Sequence, residues 1–160
     1  MRLFRFMNWW PPLLGAGIKV RWADADFRAV DVEMRLSRWN KNFMGAHYGG
    51  SLYSMTDPFY AVMVYKNLGP GHVVWDKAAS IRYWKPGRGT VRAEFRLTAE
   101  RVAEIRAVIE SEDRAEPRFA VEIKDGDGDV VSEVERVLYC AKAHVHEARV
   151  AARAARNAAV

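Results

Sequence analysis

Hydrophobic and polar side chains alternate with a period of two in three separate stretches of the chain. Such alternation is typical of a β-strand that buries one face and exposes the other. The regular stretches are residues 30–36, 91–97 and 119–123, and less regular apolar runs predict further strands at 18–23, 72–85 and 130–141. The pattern therefore predicts an antiparallel sheet with one face turned towards a core.

Between residues 48 and 67 the hydrophobic period changes to three and four residues, which predicts a helix. Few polar residues interrupt this run, so the helix should be buried on most of its sides. Leu68-Gly-Pro-Gly ends it, and Pro58 should kink or restart it. A surface helix is predicted over 99–110. One long central helix wrapped by an antiparallel sheet is an α+β arrangement.

The chain contains no internal repeat and no linker-like segment, so we expect a single domain over residues 1–142. A short helix is predicted within residues 1–12, stopped by Pro11-Pro12. Residues 143–160 form a basic, Ala-rich tail, which is either a marginal helix or disordered.

The net charge of +5 is carried by the two ends of the chain. Residues 11–141 hold 19 basic and 19 acidic side chains, whereas a nucleic-acid surface should be clustered on the fold itself. The apolar N-terminus is interrupted by Arg5 and Pro11, which predicts neither a membrane span nor a signal peptide. Cys140 is the single cysteine and suits a reducing cytoplasm. We therefore expect a cytoplasmic protein that binds neither nucleic acid nor membrane.

Two acidic or histidine-containing segments could suggest a metal, and neither has a coordination pattern. Asp125-Gly-Asp-Gly-Asp lacks the glutamate that closes a calcium loop, and Asp-Gly favours a hairpin turn. His144, His146 and Glu147 lie in the Ala-rich tail, where a solvated segment is the simpler interpretation. No metal and no cofactor is predicted.

Asp57 is an acid within the apolar helical run, so its carboxylate has to be solvated, paired or used in chemistry. Two interpretations stay open from the residues alone. Asp57 could be a catalytic carboxylate, or it could cap the helix that Pro58 restarts.

Gly49-Gly50 precedes the same helix. A helix start presents free N–H groups, and glycine lets a ligand approach the backbone closely, as an oxyanion hole requires. Asp57 follows Gly50 by seven residues, which places both on one face but about 10 Å apart along the axis. One carbonyl cannot meet both within one chain. The spacing therefore predicts a site shared between two copies across a two-fold axis.

Asn42-x-x-Gly45-x-x-Gly49-Gly50, followed by Asp57, resembles the signature of the hotdog-fold acyl-CoA thioesterases, especially the phenylacetyl-CoA (PaaI-like) branch. Residues 81–87 resemble the strand-to-turn motif of that branch, and residues 49–60 with 74–82 resemble a bacterial hotdog subfamily of unknown function. The resemblance implies a hotdog fold, a homodimer or a dimer of dimers, and hydrolysis of acyl-CoA thioesters. Gly49 and Gly50 would then form the oxyanion hole, with Asp57 as general base or nucleophile.

One position departs from the pattern of that family. The thioesterases have His directly before Gly-Gly, where this chain has Tyr48, with His47 one residue earlier. One residue at a helix start turns a side chain by about 100°, so either His47 or Tyr48 assists, together with Asn42. Three basic residues are candidate contacts for the CoA phosphates, with a solvated basic turn as the alternative: Arg82, Lys85 and Arg88.

The leading hypothesis is therefore an acyl-CoA thioesterase. The alternative is a non-catalytic hotdog module for acyl-thioester binding or dimerisation. A hotdog dehydratase is a weaker third hypothesis, because that chemistry needs a His and an acid placed jointly.

Overall fold

The computed structural model describes residues 2–158 as six helices and seven strands. None of these helices combines the length and apolar character needed to cross a bilayer. In chain order the elements are α1 (Arg2–Met7), α2 (Pro11–Ala16), β1 (Ile18–Ala23), β2 (Ala29–Arg35), α3 (Gly49–Ser54), α4 (Phe59–Leu68), β3 (His72–Tyr83), β4 (Thr90–Arg96), α5 (Ala99–Glu112), β5 (Arg114–Ala115), β6 (Arg118–Lys124), β7 (Val130–Lys142) and α6 (Ala143–Ala158).

The strands form one antiparallel sheet in the order β1-β2-β4-β6-β7-β3, with β5 also paired to β7. The predicted alternation is confirmed in β2, β4 and β6, where every second side chain is buried. The buried positions of these three strands are Val30, Val32, Met34, Val91, Ala93, Phe95, Phe119, Val121 and Ile123. One face of the sheet thus supplies a continuous apolar layer.

The helical run restarts at Pro58, giving α3 and α4 separated by a turn over residues 55–58. Proline has no N–H to bond the preceding turn, and its ring collides with the carbonyl four residues earlier. Both helices stay in the core, since Leu52, Phe59 and Met63 are buried. The predicted α+β architecture, a sheet wrapped around a central helical segment, is confirmed.

The N-terminal segment has two helices where one was predicted, and the C-terminal tail is helical. The single helix predicted within 1–12 is two short helices, because Pro11 and Pro12 begin α2 rather than only ending α1. Proline suits the first helical positions, where no N–H bond is lost. The predicted tail forms α6 directly after β7. Met1 and residues 159–160, at the ends of these predicted segments, lie outside the described residues.

Substitution of Phe59 tests how much this side chain contributes to the stability of the core. Its ring packs between Phe4 and Phe95, with centroids 6.3 and 4.8 Å away, and it is fully buried. We expect Phe59→Ala to lower the free energy of unfolding by about 3–5 kcal/mol, because a buried cavity is left behind. Phe43→Ala is the matched control, since Phe43 is 99% exposed and should change stability by less than about 0.5 kcal/mol. Urea denaturation measures both, and equal losses would contradict this packing.

Candidate active site

A buried arginine lies at the centre of the site. Arg136 occupies an inward position of β7 and is 1% exposed. Its guanidinium Nη1 donates to Asp57 Oδ1 at 2.7 Å and to Asp76 Oδ1 at 3.4 Å. Its Nη2 donates to the Tyr53 carbonyl at 3.2 Å and to Thr56 Oγ1 at 3.0 Å. Four acceptors from two separate parts of the chain thus converge on one side chain.

The turn over residues 55–58 brings Asp57 to this arginine. Thr56 N–H donates to the Tyr53 carbonyl, and Asp57 N–H donates to the Ser54 carbonyl, which closes the end of α3. The N-cap residue of α4 is Pro58, and no side chain makes a capping hydrogen bond there. The interpretation of Asp57 as a helix cap is therefore wrong: its carboxylate is paired with a cation instead.

The Asp57 carboxylate is anchored on one side and open on the other. Its Oδ1 accepts the short Arg136 bond, whereas its Oδ2 takes no hydrogen bond from the part of the chain that the structure describes. The side chain is 54% exposed. A fixed, half-exposed carboxylate can still approach a substrate or a water molecule.

Asp76 reaches the same arginine through a β-bulge. The pairing of β3 with β7 shifts between Asp76 and Ala78, so Lys77 is an extra residue in the strand. Asp76 therefore stands opposite Leu138 and shares the inward face with Arg136. Burial raises the pKa of Asp76; the Arg136 cation opposes this rise, and the charge of Asp57 adds to it. Two acids thus share one buried cation.

The start of α3 offers backbone donors. The amides of Gly49 and Gly50 donate to no acceptor within residues 2–158, because Tyr48 supplies no side-chain cap. A Cβ on Gly50 would overlap the Tyr48 ring, and a Cβ on Gly49 would lie 2.9 Å from Tyr83 Oη. A side chain at either position would therefore require the neighbouring tyrosine ring to move. The Tyr83 hydroxyl also donates to the Gly49 carbonyl at 3.0 Å.

A cleft of about 470 Å³ opens beside this helix start. Its lining is mainly apolar or aromatic, and its residues are Asn42, Met44, Ala46, His47, Gly49, Leu52, Tyr83, Trp84, Lys85, Pro86, Gly87 and Arg88. Asp57 is not among them. Within one chain, the Asp57 carboxylate therefore does not line this cleft.

Asn42 and His47 hold the loop that leads into α3. Asn42 Oδ1 accepts the N–H groups of Met44 and Ala46, so its amide orders the loop. His47 is buried, and its Nε2 donates to the Gly89 carbonyl at 3.1 Å, because a carbonyl can only accept. Burial lowers the pKa of His47, although the Gly89 bond opposes this. His47 is therefore a buried, neutral side chain in the wall of the cleft, and Tyr48 is the more exposed of the pair.

The three candidate phosphate contacts differ in what they already bind. Lys85 Nζ pairs with Asp125 at 2.7 Å and Asp129 at 2.6 Å, both in the turn between β6 and β7. Arg82 lies over the Trp84 ring at 5.2 Å and does not line the cleft. Arg88 donates to the Gly45 carbonyl through Nη1 and borders the cleft. Arg88 is therefore the basic side chain best placed beside a ligand in the cleft.

Other chemistry finds no support in the described residues. No cluster of three His, Cys, Asp or Glu side chains is arranged as metal ligands in the part of the chain that the structure describes. Cys140 is buried, and burial raises the pKa of its thiol to about 12, so it is not a thiolate nucleophile.

The family model described as "Domain of unknown function (DUF4442)" matches residues 2–140. The chain belongs to the DUF4442 family. Among curated proteins, none matches its sequence.

Solved structures similar to this DUF4442 protein share its fold at low sequence identity. One is a Pseudomonas aeruginosa protein of unknown function described as a probable thioesterase, with 20% identity and a TM-score of 0.79 over 88% of this chain and 95% of that one. Another, of unknown function, is from Chlorobaculum tepidum, with 16% identity and a TM-score of 0.71 over 88% and 93% of the two chains. A Haemophilus influenzae thioesterase gives 12% identity and a TM-score of 0.62 over 85% and 88%. The predicted hotdog fold is confirmed, and the family model agrees with the resemblance to a hotdog subfamily of unknown function.

Arg136, Asp57 and Asp76 form a charged cluster, and the sequence analysis identified only Asp57 as a candidate site residue. Arg136 occupies an inward position of β7, between the apolar residues Val134 and Leu138. A charged residue at such a position in the sequence pattern indicates a buried cation that needs a partner. Asp76 gave no such signal, because its inward face depends on the bulge at Lys77.

Asp76 makes the stability of this DUF4442 protein depend on pH in a defined direction. Because its pKa is raised on folding, the native state holds this proton more tightly than the unfolded chain does. The stabilising contribution of Asp76 is therefore complete below its ordinary pKa of 3.8 and is lost as the pH rises through the raised value. Asp76→Asn removes this loss.

We expect the free energy of unfolding of Asp76→Asn, measured relative to the wild type, to increase between about pH 3 and pH 7. Urea titrations at several pH values measure this difference. A difference that decreases with pH would contradict the raised pKa.

Proposed function

We propose that this DUF4442 protein hydrolyses acyl-CoA-type thioesters at a site shared by two copies of the chain. Asp57 of one copy faces the cleft and helix start of the other. The observation that carries the proposal is the Asp57 carboxylate, fixed by a buried arginine yet half exposed. Its absence from the lining of its own chain's cleft supports a partner copy as the place of reaction.

The cleft and the helix start supply the electrophilic side of the reaction. The thioester carbonyl oxygen accepts from the free amides of Gly49 and Gly50, which stabilise the negative charge that develops on it. The apolar lining around Leu52 and Trp84 receives the acyl group, and Arg88 stands at the edge for a CoA phosphate. Lys85 contributes less, because two carboxylates already bind it.

Asp57 supplies the nucleophilic side, by one of two routes. As a general base it takes a proton from water, the water oxygen bonds to the carbonyl carbon, the carbon–sulfur bond breaks, and the departing thiolate takes the proton from Asp57. As a nucleophile its free oxygen bonds to the carbonyl carbon and the carbon–sulfur bond breaks to expel the CoA thiolate. Water then opens the resulting anhydride, which restores the Asp57 carboxylate, and its proton is passed to the thiolate. Both routes release a carboxylic acid and the CoA thiol, so turnover is followed with a thiol-reactive dye.

A non-catalytic acyl-thioester-binding or dimerisation module is the second candidate. The observation that favours it is the same Arg136–Asp57 pair, because a buried cation needs a counter-charge whether or not chemistry occurs. In that case Asp57→Asn lowers the melting temperature without affecting any turnover.

Substitution of Asp57 separates the two candidates. We expect the wild type to release thiol from at least one member of an acyl-CoA panel, and Asp57→Asn to be slower by about 10²–10⁴-fold, because an amide cannot accept the proton. Asp26→Asn is the matched control, since Asp26 also pairs with an arginine, Arg28, but at the exposed surface. A wild type without thiol release would rule out the hydrolase, and Asp57→Asn at full rate would rule out Asp57 as its catalytic carboxylate.

The helix start is tested by removing one amide without disturbing the helix. Gly49 is the first residue of α3, and Tyr48 before it is extended, so a proline is compatible there. We expect Gly49→Pro to lower the rate by about 10²–10³-fold, because it deletes an oxyanion donor. Gly49→Ala adds a similar Cβ beside Tyr83 but keeps the amide, and should retain most of the rate.

Mixing the two inactive proteins tests whether the site is shared. Mixed dimers of Asp57→Asn and Gly49→Pro contain one site with both defects and one site with neither. After subunit exchange we expect recovery of about one quarter of the wild-type activity, since half the dimers are mixed and each has one intact site. No recovery, with exchange verified by mass spectrometry of the intact dimers, would place both residues in one chain's site.

A further inference from the structure

We infer that Arg136 is the positioning residue that fixes the Asp57 carboxylate in its reactive orientation. The inference rests on the proposed function, and it assigns a role to a residue that lies behind the acid and touches no substrate. It also explains why a cation occupies the core side of β7.

The contacts of Arg136 fix Asp57 at two levels. Nη1 binds the carboxylate itself at 2.7 Å. Nη2 binds the Tyr53 carbonyl and Thr56 Oγ1, so the turn that carries Asp57 is held by the same rigid group. The guanidinium also lies over the Tyr53 ring, 4.6 Å from its centroid. Side chain and backbone of this turn are therefore oriented together.

The energetic cost of this arrangement favours a functional reason. Burying a guanidinium is expensive, and an apolar side chain at the same position would often be as stable or more stable. Its neighbours on the inward face, Val134 and Leu138, are apolar and fully buried. Nε of Arg136 finds no hydrogen-bond partner in the described part of the chain, which adds to the cost. Packing alone therefore does not account for an arginine here.

Asp76 limits how far the arginine can neutralise Asp57. Asp76 lies on the neighbouring strand β3, and its Oδ1 also accepts a hydrogen bond from Arg136 Nη1, at 3.4 Å. Arg136 therefore binds Asp57 through one oxygen rather than in a two-pronged pair, and the second oxygen stays available for water or a carbonyl carbon.

Lysine cannot reproduce the geometry. Its ammonium is a single point with three donors, whereas the planar guanidinium reaches the carboxylate and the turn at once through two nitrogens. Arg136→Lys keeps the charge and loses part of the orientation, and Arg136→Gln loses both. The two variants thus form a graded series.

The test is steady-state hydrolysis of the acyl-CoA that the wild type turns over fastest. We expect Arg136→Gln to lower kcat by about 100-fold with KM changed less than about threefold, because the acid is misplaced while the cleft is intact. Arg136→Lys should recover part of kcat. Arg118→Gln is the matched control, since Arg118 pairs with Glu135 at the surface.

Crystal structures of the wild type and both variants provide a readout that does not depend on turnover. We expect the Asp57 carboxylate to be displaced or disordered in Arg136→Gln while the cleft around Gly49 is unchanged. The inference is overturned if Asp57 keeps its wild-type position in Arg136→Gln, or if kcat of Arg136→Gln matches that of the wild type. A wild type that hydrolyses no thioester removes the proposed function, and the crystal structures then decide by themselves whether Arg136 positions Asp57.

Discussion

The burial of the Arg136 guanidinium is the constraint on which the surrounding structure depends. A cation enclosed by an apolar layer needs hydrogen-bond acceptors close to it, and four of them bind the two terminal nitrogens of Arg136. The end of α3 and the turn after it supply three of them, and the neighbouring strand β3 supplies the fourth. The break in the central helix is therefore part of the same arrangement as the charge pair.

The chain has two chemically different surfaces beside its central helices. The acid is exposed on one side of its helix break, and the cleft opens beside the helix start, lined by aromatic and apolar groups. The proposed function assigns one part of the thioester chemistry to each surface, in two copies of the chain.

Local patterns predicted most of the fold, because the alternation in β2, β4 and β6 needs no partner to be recognised. Asp57 was also identifiable from sequence, since an acid in an apolar run needs an explanation. Its partner was not, because Arg136 is 79 residues away and their meeting depends on the assembled sheet. His47 was ambiguous for the same reason: its burial and its bond to Gly89 across 42 residues are tertiary facts.

The bulge at Lys77 changes how the numbering of β3 corresponds to its two faces. Before the bulge, the even-numbered residues Val74 and Asp76 stand opposite inward residues of β7; after it, the odd-numbered Ala79 and Ile81 do so. The alternation of inward and outward side chains therefore shifts by one residue within β3. Because Lys77 is the extra residue, a sequence lacking it would keep both flanking segments on their present faces. Comparisons that count residues along this strand without allowing a gap there would assign the acid to the solvent side.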